Sequence, residues 1–136
     1  MEQKNKINQI FFNWRKSILE KLIFIQTGTG IDLHGQNINS AAMRAVDNAI
    51  HSNSMPGIKE VMPKDKQEMK VKIKLAVPKD SEKLDYEKIK NMIPEGDVSV
   101  EVVAGGMATT SGIYLEDEYD KNKLMYIVNT SIEVGY

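Results

Sequence analysis

The stretch Ile25-Gln-Thr-Gly-Thr-Gly-Ile-Asp-Leu-His-Gly-Gln-Asn37 decides how the rest of the chain is read. It holds three glycines, one aspartate and one of only two histidines, and it overlaps the apolar run Leu22 to Gln26. Such a run has the composition of a short buried strand. Beyond it, Ala42, Ala45, Val46 and Ala49 recur at the spacing of one helical face, flanked by Met43 and Ile50. The stretch therefore reads as a strand-to-helix connection, with Asn39 or Ser40 as the helix cap. Connections of this kind are where folds mount ligand sites.

Its residue types suggest chemistry. Asp32 and His34, two apart, point to the same side of an extended backbone, and a carboxylate beside an imidazole orients a general base. Arg44 lies on the helix that comes next and is suited to hold an anionic group. Gly28, Gly30 and Gly35 permit backbone conformations closed to other residues, or close approach of a ligand to the main chain. A glycine-rich turn before a helix can also bind phosphate. That signal is weak here, because there is no Walker-type lysine and no third glycine of the dinucleotide fingerprint. A divalent metal is a further reading, with Asp32 and His34 supplemented by Glu101 or by the acidic segment 116–123. A tetrahedral zinc site takes three or four protein ligands, so with two histidines and no cysteine it would have to be carboxylate-rich or shared between chains.

Composition narrows the classes. The 136 residues, 41% of them hydrophobic, suit one core and are short for two. The formal net charge is -1, so no overall field favours nucleic acid or an anionic membrane. With no cysteine there is no disulfide framework and no thiolate site. No apolar run approaches the roughly 20 residues that span a bilayer, and a cytoplasmic location is expected.

We read residues 1–20 as an amino-terminal extension and 21–136 as the domain. In the extension Ile7, Ile10, Phe11, Trp14 and Ile18 recur at helical spacing. The stripe suits packing on its own domain or on a neighbouring subunit, and its lysines and arginine leave a membrane surface as the alternative. In the domain, residues 58–62 read as a short strand. Met69 to Val77 alternate strictly with Lys70, Lys72, Lys74 and Ala76, a strand with one buried face. A helix capped by Asp85 comes after it, with Tyr86, Ile89, Met92 and Ile93 facing the core and Pro94-Glu-Gly96 ending it. Val98 to Val103 is a strand with Glu101 on the face away from the helices. Residues 107–112 read as a loop, and 114–115 with 124–134 as a hairpin closed by the acidic segment. The order gives an α+β fold, with two helices on one face of a mainly antiparallel, split-βαβ sheet. Two helices leave the other sheet face bare, which favours assembly.

The arrangement Gly28-x-Gly30-x-Asp32-x-His34-Gly35 resembles the GxGxDxHG signature of a Listeria-type family of uncharacterised conserved bacterial proteins. The resemblance extends from about Lys21 to Tyr136 and includes Ala42-Met-Arg-Ala-Val, Met55-Pro-Gly, Val98-Ser-Val-Glu-Val-Val and Ser131-Ile-Glu-Val-Gly-Tyr. It implies a shape similar to the small trimers of the YjgF and Bacillus chorismate mutase kind, hence a homotrimer with clefts between subunits, and it implies no activity. Two functional classes stand. The first is a small-metabolite enzyme of hydrolase, deaminase or isomerase type, using Asp32 and His34. The second is a non-catalytic module binding a small anion or metabolite at the same turn. Against both stands a purely structural turn in which Asp32 and His34 serve the backbone.

Overall fold

The computed structural model describes residues 19–62, 65 and 68–136. The amphipathic stripe of the extension, Ile7 to Ile18, lies outside them. Five strands form one sheet: β1 (Leu22–Asp32), β2 (Lys70–Val77), β3 (Asp97–Ala104), β4 (Met107–Thr110) and β5 (Leu124–Gly135). The spatial order is β1-β5-β2-β3, and β4 pairs with β5 where β2 has ended. Three pairings are antiparallel and that of β2 with β3 is parallel. Helices α1 (Ile38–His51), α2 (Ile58–Val61) and α3 (Tyr86–Lys90) complete the α+β fold.

Strand alternation puts Val71, Ile73, Leu75 and Val77 of β2 and Tyr126, Val128, Ile132 and Val134 of β5 on one buried face. Against it lies α1, whose Ala41, Ala42, Ala45, Val46 and Ala49 are fully buried. The alanines bring the helix backbone down to the sheet, and β1 makes room for it. A Cβ on Gly30 would strike the carbonyl of Ala41 and the amide of Ala45, and one on Gly28 would lie 2.5 Å from the amide of Ala49. The two glycines are therefore packing residues inside a strand. Because β1 runs on through them to Asp32, the expected turn begins only at Leu33. The helix cap is Asn37, whose side chain accepts from the Ser40 amide, and neither Asn39 nor Ser40 has that role.

Asp85 caps α3 by accepting from the Lys88 amide. Ile89 is buried and Met92 and Ile93 pack beside it, whereas Tyr86 is exposed. Three further expectations fail. Residues 58–61 form a turn of helix instead of a strand, with the Met62 amide donating to the Ile58 carbonyl. Residues 107–110 form β4 and not the expected loop, because Gly105 and Gly106 carry the chain past the end of β2 to the vacant edge of β5. Residues 114–115 form no strand.

The other sheet face carries Lys72 and Lys74 against Glu101, with Ile25, Val103 and Met107 exposed. Lys72 Nζ lies 2.9 Å from Glu101 Oε2. Its hydrogen bond holds the Glu101 carboxyl below the usual carboxylate range, against the opposing effect of burial.

Candidate functional site

At the carboxyl end of β1 the chain turns sharply into α1. Gly35 has φ 90° and Gln36 φ 48°, left-handed backbone that glycine adopts freely and glutamine only when held. Asp120, from the segment between β4 and β5, does the holding. Its side chain has no exposed surface and four hydrogen-bond partners converge on it. The Gly35 amide donates to Oδ1 at 2.7 Å and Gln36 Nε2 to the same oxygen at 3.1 Å. The Leu115 amide donates to Oδ2 at 2.9 Å, and His34 Nδ1 lies 2.9 Å from Oδ2. Burial pushes this carboxyl up, but the amides of Leu115 and Gly35, with His34 and Gln36, outweigh it and hold its pKa down at about 2. Gln36 closes the junction: Nε2 also donates to the Leu124 carbonyl at 2.7 Å, and Oε1 accepts from the Lys121 amide at 2.8 Å.

Asp32 serves a different set of partners. It is buried, with Oδ2 accepting from the Asn37 amide at 2.8 Å and Oδ1 from Arg44 Nη1 at 3.1 Å. Arg44 Nη1 also donates to the Ile31 carbonyl at 2.6 Å. One corner of the guanidinium is thus fixed. Nη2 and Nε have no hydrogen-bond partner among the described residues, and the side chain is 59% exposed. A cavity of about 430 Å³ opens here, lined by Ile31, Asp32, Leu33, His34, Arg44 and Glu118.

Asp32, His34 and Arg44 are thus brought together at one groove, but the carboxylate beside the imidazole is Asp120 and not Asp32. Gly35 shapes the turn, Gly28 and Gly30 lie under α1, and Glu101 is on the sheet face opposite α1, outside the groove. The other histidine, His51, is exposed at the end of α1 beside Asp47. The sequence alone does not single out Asp120 or Gln36. Nothing local separates Asp120 from Glu116, Asp117 and Glu118 beside it, because its role depends on contacts some 85 residues away. Among the described residues no three or more histidine or carboxylate side chains cluster as a metal site.

Curated proteins include no match to the chain. Among solved structures, the chain is similar to an FtsZ-like protein of unknown function from Nostoc punctiforme, with 36% identity and a TM-score of 0.73, over 84% of this chain and 93% of that one. Residues 22–134 match the model of a family described as conserved hypothetical protein (Lin0512_fam). That span contains every strand core and helix described above, together with His34, Arg44 and Asp120, and the chain belongs to this family.

Proposed function

We propose that the groove at the end of β1 binds a small anionic metabolite and that His34 exchanges a proton with it, as in a hydrolase, deaminase or isomerase. The observation that carries this reading is the pairing of an anchored, half-used guanidinium with a partly exposed imidazole in one cavity. Fixing one nitrogen of Arg44 through Asp32 and the Ile31 carbonyl leaves the rest of the fork preorganised for a carboxylate or phosphate. His34 supplies the group that most often moves protons near neutral pH. Ile31 and Leu33, both exposed, offer an apolar wall to the body of the ligand.

In this reading the protein is a cytoplasmic homotrimer whose grooves lie between subunits. The supporting feature is the sheet face opposite α1, where no helix lies among the described residues and Ile25, Val103 and Met107 are exposed, together with the apolar rim of the groove. A non-catalytic binding module is the second reading. It needs only the free donors of Arg44 in the lining and no proton transfer.

A panel of small carboxylates and phosphates scanned by thermal shift tests the site. Any ligand bound only by the folded state raises the melting temperature. Wild type should respond to at least one class of anion and Arg44→Gln should not, each against its own unliganded baseline. Equal responses of the two proteins would remove Arg44 from the site.

A further inference from the structure

A neutral histidine in a ligand groove presents either a proton or a lone pair, and the group that binds its inner nitrogen decides which. On the reading of the groove as a ligand site, we infer that Asp120 is a positioning residue for His34: it holds the neutral imidazole in the tautomer protonated at Nδ1 and leaves Nε2 bare, as the proton acceptor available at the groove.

Donors and acceptors around Asp120 carry the assignment. Three of its four partners, the amides of Gly35 and Leu115 and the side-chain amide of Gln36, can only donate to it. A carboxyl group surrounded by such donors is a carboxylate, and a carboxylate only accepts. Nδ1 at 2.9 Å must then carry the shared proton. The ring has one proton when neutral, so Nε2 has none. Nε2 has no hydrogen-bond partner among the described residues, and it is not among the buried polar atoms lacking one. It therefore reaches solvent, from a side chain 22% exposed that lines the cavity.

The same contacts restrict the ring in space. Asp120 is itself pinned by backbone amides on both sides, from Leu115 before it and from Gly35 across the turn. Hydrogen-bonded support of this kind sets both the orientation and the basicity of the outer nitrogen of a histidine. The ligand group that meets Nε2 is thus a proton donor: a hydroxyl, an amine or an acidic C–H.

Long-range 1H–15N correlation spectra of the uniformly 15N-labelled full chain in alkaline buffer read the tautomer directly. With two histidines in the chain, His51→Gln assigns the signals. The expected pattern for His34 is a protonated, pyrrole-type Nδ1 and a bare, pyridine-type Nε2. In Asp120→Ala, which leaves Nδ1 without its acceptor, the pattern should move to the averaged shifts of an unrestrained imidazole. A wild-type spectrum showing protonated Nε2, or the averaged shifts of an unrestrained imidazole, would overturn the inference. So would an unchanged pattern in Asp120→Ala. Should that variant not fold, the wild-type spectrum decides alone. The pattern needs no ligand, so an anion panel without hits, which would count against the proposed function, leaves this result intact.

Discussion

Asp32 and His34 sit two residues apart and answer to different partners, so their truncations separate. Asp32→Ala strands the Asn37 amide at the start of α1 and releases Arg44. Removing a buried charged acceptor of this kind should cost about 2 kcal/mol in urea denaturation. A loss under about 0.5 kcal/mol, the size of an ordinary surface change, would mean that water replaces the carboxylate. Asp120 makes a prediction in pH. Its pKa in the fold, about 2, lies below the ordinary aspartate value of about 3.9, so the unfolded chain binds the proton more readily. The stabilisation it gives is complete above about pH 4 and disappears as pH falls through about 2. Urea midpoints measured down that range should fall less steeply for Asp120→Asn than for wild type, and parallel slopes would contradict the assignment. The residue scale is only partly legible in the sequence. The crowding of glycine, aspartate and histidine marks the junction of β1 and α1, and Arg44 lies against Asp32 there. Pairing His34 with Asp32 rests on proximity along the chain, whereas the fold supplies Asp120 from 86 residues further on.

Among the elements, β1 and α1 form the unit on which the groove is built, and two glycines set their separation. Gly30→Ala would put a methyl group against the backbone of Ala41 and Ala45, and backbone cannot rotate aside as a side chain does. The change should cost about 3 kcal/mol or more, at the upper end of overpacking effects, while Gly57→Ala, which meets nothing within 4 Å, should stay within about 0.5 kcal/mol. Similar melting curves for the two variants would show that α1 lifts off the sheet at little cost. The strong periodic signals in the sequence locate these elements: the alanine face of α1, the alternation of β2 and the valines of β3. The end of β1 is misplaced by sequence alone because glycine reads locally as turn, although here it serves the close approach of a helix. In the same way β4 looks like a loop of small and hydroxyl residues, and only the free edge of β5 makes it a strand.

For the whole molecule, the sheet face opposite α1 is the feature that the packing of the described residues leaves unexplained. An ion pair between Lys72 and Glu101 lies there among exposed Ile25, Val103 and Met107. Light scattering coupled to size exclusion should return three times the chain mass of 15.4 kDa, and a monodisperse monomer would remove the trimer together with any groove shared between subunits. On the proposed function His34 serves a ligand and not the fold, and global stability decides between the two. Removing the ring leaves Asp120 Oδ2 with the Leu115 amide and opens its other side to water. Urea unfolding of His34→Ala should therefore give a free energy within about 1 kcal/mol of wild type. A loss of several kcal/mol, the cost of leaving the buried Asp120 carboxylate short of a partner, would instead make His34 part of the scaffold.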